Sequence, residues 1–109
     1  MNMMKENETK VKRILEKLMV LRTEAACNNV KVCKEILDAK GTLQEIFEEE
    51  EKAYVETYFQ DRNVIAIDDA KLNALFEAID CLSEKMTYPK LMVKNLDYTV
   101  MKLKYCIKN

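Results

Sequence analysis

The scarcity of turn-forming residues is the feature that most constrains the fold of this chain. One glycine, Gly41, and one proline, Pro89, occur among its 109 residues. A sheet protein of this length needs many tight turns, which are built largely from glycine, proline, asparagine and aspartate. The sequence is instead rich in leucine, lysine, glutamate, alanine and methionine, which favour helix. We therefore predict a single all-α domain spanning residues 1–109, a four- or five-helix bundle with near-antiparallel helices and short loops.

Apolar residues recur at alternating intervals of three and four along much of the chain, as they do on the buried seams of bundle helices. The most regular seam lies near the C-terminus and consists of Val93, Leu96, Val100, Leu103 and Ile107. Asp68 or Asp69 is expected to cap the N-terminus of the helix that precedes this C-terminal seam. These patterns predict helices over residues 5–26, 29–40, 43–60, 69–86 and 89–108.

Two local signals predict a break in the middle of the chain. Gly41 stands where a left-handed C-cap would end one helix, and Thr42 with Glu45 matches the capping box that begins another. Weak helix formers at positions 27–29 leave open whether residues 5–40 form one helix or two.

Four consecutive glutamates, Glu48–Glu51, raise the question of a chemical site. Helical spacing turns most of this run towards solvent and places Glu50 alone on the apolar face that includes Leu43 and Ile46. An unpaired buried carboxylate is costly, so we expect Glu50 to be paired, protonated or at a wet rim. A lysine or arginine from a basic end of the chain is the natural partner.

The acidic residues also form an ordered pair of motifs. Glu48–Glu51 contains ExxE, and the later stretch Glu77–Asp80 reads ExxD. This order resembles that of the small all-α MazG-type nucleotide pyrophosphohydrolases, and the resemblance implies a magnesium ion held by these carboxylates. Helical geometry opposes this alternative, because the apolar seam of the later helix turns Glu77 outward and leaves Asp80 off the seam.

Other catalytic chemistries find no support in the composition. The chain has no histidine, and its four cysteines, Cys27, Cys33, Cys81 and Cys106, contain no CxxC pair. One glycine cannot build a phosphate-cradling loop. We expect no enzymatic activity, no cofactor and no metal. Without an apolar leader or a membrane-spanning run, we expect a cytoplasmic protein with free thiols and no membrane partner.

The C-terminal helix carries a second apolar stripe opposite its seam. Leu91, Tyr98 and Tyr105 recur every seven residues, with Met101 beside them and Lys94 and Lys102 flanking the stripe. Tyrosine, methionine and rim cations are typical of protein interfaces, so these six residues are the predicted partner-binding site. The alternative is that residues 64–67 or the first helix cover the stripe.

Charge is distributed unevenly along the chain, although its net value is −1. Residues 41–62 carry seven acids and two basic residues, whereas residues 89–109 carry five lysines and one aspartate. A second alternative is nucleic-acid binding by these lysines with Tyr98 and Tyr105, which the overall charge and the three arginines do not favour. We expect a protein partner and a homodimer: an adaptor, a chaperone or a small inhibitor. Abundant lysine, asparagine and isoleucine suggest an AT-rich genome, as of a phage or another mobile element, and hence action in a host cytoplasm.

Overall fold

A computed structural model describes residues 3–27, 32–59, 67–82 and 89–108. Four α-helices make up most of this part of the chain: α1 (Lys5–Ala26), α2 (Val32–Phe59), α3 (Asp69–Cys81) and α4 (Pro89–Cys106). No strand occurs among the described residues. The prediction of an all-α fold is confirmed.

Each helix packs against its neighbours in the chain, and α4 also packs against α1. This cycle of contacts is the one expected of a four-helix bundle. The molecule is elongated, with extents of 49 × 23 × 18 Å. Its long dimension follows from α2, because a helix of 28 residues is about 42 Å long.

The predicted seams form the core. The buried side chains on α1 include Val11, Ile14, Leu18, Leu21 and Ala25, and those on α3 include Leu72, Leu75 and Ile79. On α4, Leu96 and Leu103 are fully buried, while Val93, Val100 and Ile107 pack against the core from its edge. Ile67, which precedes α3, is also buried, whereas residues 64–66 lie outside the described residues.

The predicted break at Gly41 is wrong, because α2 runs through this position. The buried positions Ile36, Ala39, Leu43, Ile46 and Glu50 keep the three–four spacing across the glycine. Thr42 does not begin a helix; its hydroxyl donates a hydrogen bond to the carbonyl of Asp38 at 3.3 Å. Continuous burial on both sides outweighs the weak helix propensity of one glycine. Residues 5–40 thus contain two helices, because α1 ends at Ala26.

The ends of α3 agree only in part with the prediction. Asp68 is the N-cap, and its side chain accepts a hydrogen bond from the backbone N–H of Lys71 at 2.8 Å. The prediction that the helix continues through Leu82 is wrong, because this residue leaves the helical conformation with φ −86° and ψ 64°. The Leu82 side chain is fully buried, so it serves the core from a non-helical position. Residues 83–88 lie outside the described part of the chain.

Candidate functional site

The outward side of α4 carries a row of exposed apolar side chains. Leu91, Tyr98, Met101 and Tyr105, here called the outer stripe, are 41, 39, 56 and 45% exposed. Their exposure shows that α1 does not cover them, whereas residues 64–66, part of the alternative cover, lie outside the described residues. One α-helix thus has two apolar faces, of which one is in the core and the other meets solvent.

On the α3 side, an ion pair borders the outer stripe. Lys102 Nζ lies 2.6 Å from Glu77 Oε2, and it also lies 5.2 Å from the centre of the Tyr98 ring. The Tyr98 hydroxyl donates a long hydrogen bond of 3.5 Å to the same carboxylate oxygen. Lys102 lowers the pKa of Glu77, and the hydrogen bond with Glu77 raises the pKa of Lys102. These contacts restrain the Tyr98 ring and neutralise one cation and one anion.

Two hollows lie along the outer stripe. The first has a volume of about 370 Å³ and is lined by Ala70, Asn73, Ala74, Glu77, Met101, Lys102 and Tyr105. The second has a volume of about 540 Å³ and is lined by Cys81, Lys94, Asn95, Asp97, Tyr98 and Met101. Met101 lines both, so the hollows are neighbours along α4.

On the α1 side, the outer stripe has a second ion pair and a row of lysines. Arg22 of α1 pairs with Asp97, with its Nε and one terminal nitrogen at 2.6 and 3.3 Å from the two carboxylate oxygens. Hydrogen bonding to Asp97 raises the pKa of Arg22. Four further cations are exposed, Lys90, Lys104 and Lys108 on this side and Lys94 within the stripe, and none of them forms an ion pair with a described residue.

Two buried hydrogen bonds fix α4 on α3. The Thr99 hydroxyl donates to the carbonyl of Ala78, and the Cys106 thiol donates to the carbonyl of Lys71, each at 3.3 Å. The contact points run in opposite directions along the two helices. Burial raises the pKa of Cys106 to about 12, so this thiol stays protonated at neutral pH. These two hydrogen bonds therefore fix the position of α4, the helix that carries the outer stripe, against α3.

Glu50 of α2 is fully buried, and the described groups that donate hydrogen bonds to it are neutral. Its Oε1 accepts hydrogen bonds from the backbone N–H of Met4 at 3.0 Å and from Asn7 Nδ2 at 2.9 Å. Asn7 Nδ2 also lies 3.2 Å from Glu49 Oε2. The expected lysine or arginine partner is therefore wrong among the described residues. Glu50 Oε2 has no hydrogen-bond partner in that part of the chain.

The carboxylates of the MazG-like pattern do not gather in the described structure. Glu48 and Glu51 are exposed on α2, and Glu77 is paired with Lys102. Within residues 3–27, 32–59, 67–82 and 89–108, no three potential metal ligands come together. Among the helices described, none has the length and apolar composition needed to cross a membrane.

Sequence reasoning missed Asn7 as the partner of Glu50 and Arg22 as the partner of Asp97. A signal for Asn7 was present, because it lies four residues before Val11 and extends the α1 seam by one turn. No comparable local signal pairs Arg22 with a residue 75 positions away. No protein family, curated protein or solved structure matches the chain. No residue's role is therefore carried over from another protein.

Proposed function

We propose that this protein is a non-enzymatic binding module that docks another protein through the outer stripe of α4. The observation that carries the proposal is the exposure of Leu91, Tyr98, Met101 and Tyr105 on one helix face while the opposite face is buried. A surface helix of a small monomer normally needs a single apolar face. An exposed apolar row with neighbouring polar side chains is typical of a protein interface.

The surroundings of Tyr98 support binding rather than chance exposure. Tyrosine supplies a large contact area with few rotatable bonds, and it is enriched among residues that dominate binding energy. Glu77 and Lys102 already restrain this ring, so less side-chain entropy is lost when a partner covers it. A near-antiparallel four-helix bundle, which we propose from the cycle of helix contacts, would hold the stripe rigidly.

A protein that acts by covering a partner's surface needs no catalytic group. We propose that it belongs to the adaptors, chaperones or small inhibitors, and that a phage or another mobile element encodes it. The thiols of Cys27, Cys81 and Cys106 are free, which supports a reducing compartment such as the host cytoplasm.

A second copy of this chain is the competing occupant of the outer stripe. A symmetric homodimer would place α4 of one copy against α4 of the other. In an antiparallel contact of this kind, the α1 sides of the two copies would meet and bring the lysines Lys90, Lys104 and Lys108 of both copies near each other. The homodimer predicted from the sequence therefore stays a competing prediction, and like-charge repulsion in this arrangement favours a different protein at this face.

Photo-crosslinking in the cell of origin tests the proposal. p-Benzoylphenylalanine is installed in place of Met101, the most exposed member of the outer stripe. The matched control carries it in place of Glu48, which is exposed on α2 and lies outside the stripe. We expect a defined adduct with another polypeptide from position 101 and none from position 48.

Adding Tyr98→Ala and Tyr105→Ala to the position-101 variant separates docking from chance collision. The adduct should disappear, because two anchor side chains are removed from the same face. Light scattering of the unmodified protein should give the mass of one chain. Adducts of equal yield from both positions would contradict the proposal, and a dimer lost on removing the tyrosines would assign the stripe to self-association.

A further inference from the structure

Resting on the proposed docking function of the outer stripe, we propose that the partner presents an acidic amphipathic α-helix. The helix lies along α4, places apolar side chains in the two hollows, and turns its carboxylates towards the lysines on the α1 side. Three independent features of the described residues define this chemistry: the repeat of the stripe, the position of the hollows and the unmatched charge at one edge.

The repeat of the stripe matches a helical ligand. Leu91, Tyr98 and Tyr105 are seven residues apart, which separates successive side chains by about 10.5 Å along α4. A partner helix repeats its own apolar face at the same interval of seven residues, so several contacts form in one register. An extended peptide spaces same-side residues every two positions, about 6.6 Å apart, and does not match this interval.

The two hollows can accommodate apolar side chains of the partner. One hollow, of about 370 Å³, lies between α3 and the Tyr105 end of the stripe. The other, of about 540 Å³, lies beside Tyr98 and reaches Cys81. Met101 separates them, so two anchors about two helical turns apart on one partner face would straddle this side chain.

The unmatched positive charge along one edge of the outer stripe indicates that the partner is acidic. Lys102 is matched by Glu77, and Arg22 is matched by Asp97. At about 100° per residue, Lys90, Lys104 and Lys108 fall on the side of the stripe that Asp97 occupies, towards α1, and Lys94 falls between Met101 and the tyrosines. None of these four has an ion-pair partner among the described residues. Carboxylates along one edge of the docked helix complete this row.

Nucleic acid fits the same surface less well. Leu91 and Met101 offer no ring on which a base stacks, and one face of Tyr98 is approached by Lys102. A folded acidic helix meets the apolar centre and the basic edge together.

Peptide selection tests the partner chemistry directly. A displayed library of random 18-residue peptides is selected on the full chain and counter-selected on the Tyr98→Ala, Tyr105→Ala variant. We expect enriched peptides with apolar residues seven apart and Asp or Glu along one edge. Synthetic copies should become helical by circular dichroism on binding, and their affinity should fall steeply with salt.

Two further measurements locate the bound peptide. Lys94→Glu with Lys104→Glu should weaken binding by about tenfold or more, whereas Lys52→Glu on the exposed side of α2 should leave it unchanged. Bound peptide should slow iodoacetamide alkylation of Cys81, which lines the second hollow, and should not slow that of exposed Cys27.

The outcomes separate this inference from the docking proposal. Tyrosine-dependent peptides that are basic, or that bind without becoming helical, would overturn the acidic helix and leave docking intact. A labelled oligonucleotide that binds the stripe more tightly than any peptide, or a tyrosine-dependent dimer, would replace the acidic helix as the occupant. If no tyrosine-dependent peptide is found and position 101 gives no adduct, both proposals fail.

Discussion

Asn7 of α1 donates a hydrogen bond from Nδ2 to Oε1 of Glu50 of α2 at 2.9 Å, and both side chains are buried at seam positions. The same oxygen accepts the backbone N–H of Met4, the residue that caps α1. Met4 has no capping side chain of its own, so a carboxylate from the next helix accepts at this helix end. Glu50 thus caps α1 from a position 46 residues later in the sequence.

A double-mutant cycle should show that Asn7 and Glu50 act together. Asn7→Leu leaves a buried carboxylate with one donor fewer and should lower the free energy of unfolding by about 1–3 kcal/mol. Glu50→Leu should cost less, because Asn7 retains Glu49 as an acceptor. The double variant should be more stable than the sum of the single losses predicts, since an apolar pair replaces a polar pair.

Urea unfolding followed by circular dichroism measures all three variants. Gln44→Ala, at an exposed site on the helix that carries Glu50, is the control. Its free energy of unfolding should stay within about 0.5 kcal/mol of that of the unmodified protein. Strictly additive losses at Asn7 and Glu50 would show that the two side chains are independent.

Much of the fold could be predicted from periodicity, because burial repeats with the helix. The α1 seam from Val11 to Ala25 and the C-terminal seam through Leu96 and Leu103 needed no tertiary information. The helix boundaries were harder to predict, because Gly41 and Thr42 carry strong local signals for a break that long-range packing overrides. The exposure of the outer stripe also followed from helical spacing. The pairs Arg22–Asp97 and Asn7–Glu50 did not, because each joins residues far apart in sequence.

Replacing Gly41 should stabilise the protein. A Cβ built at this position meets nothing within 4 Å, and the residue lies inside α2. Glycine in a helix interior costs roughly 0.5–1 kcal/mol relative to alanine, so Gly41→Ala should raise the free energy of unfolding by about that amount. Gly41→Asn should fall between the two. A left-handed helix end would reverse the series, with glycine the most stable and alanine the least.

Cys27, Cys81 and Cys106 should differ in reactivity in a fixed order. Alkylation requires the thiolate, and burial raises the pKa of Cys106 to about 12 and also raises that of Cys81. At pH 8, iodoacetamide should modify exposed Cys27 first, Cys81 more slowly, and Cys106 only as the protein unfolds. Peptide mapping by mass spectrometry gives the three rates, and in urea they should converge. Rapid labelling of Cys106 in the native protein would contradict its burial.

Nucleoside triphosphate hydrolysis should be absent. Glu77 would be a metal ligand in the MazG-like pattern, yet its carboxylate is 2.6 Å from Lys102 Nζ. A bound magnesium ion would have to displace this cation. We expect no phosphate or pyrophosphate release from the eight common nucleoside triphosphates with magnesium, for the unmodified protein or for Lys102→Met. Turnover that is lost in both Glu77→Ala and Asp80→Ala would restore the enzymatic interpretation.

The ion pair between Glu77 and Lys102 should be visible in the titration of Glu77. Lys102 lowers the Glu77 pKa below its ordinary value of 4.5. Because folding lowers this pKa, the contribution of Glu77 to stability is present above pH 4.5 and is lost as pH falls through the folded-state pKa. Lys102→Met keeps the length of the side chain and removes its charge, so the Glu77 pKa should rise towards 4.5. Carboxyl ¹³C shifts measured against pH follow the change, and Lys104→Met, which leaves this pair intact, is the control. An unchanged Glu77 pKa in Lys102→Met would show that the pair does not persist in solution, and Tyr98 would then lose the restraint that prepares it for docking.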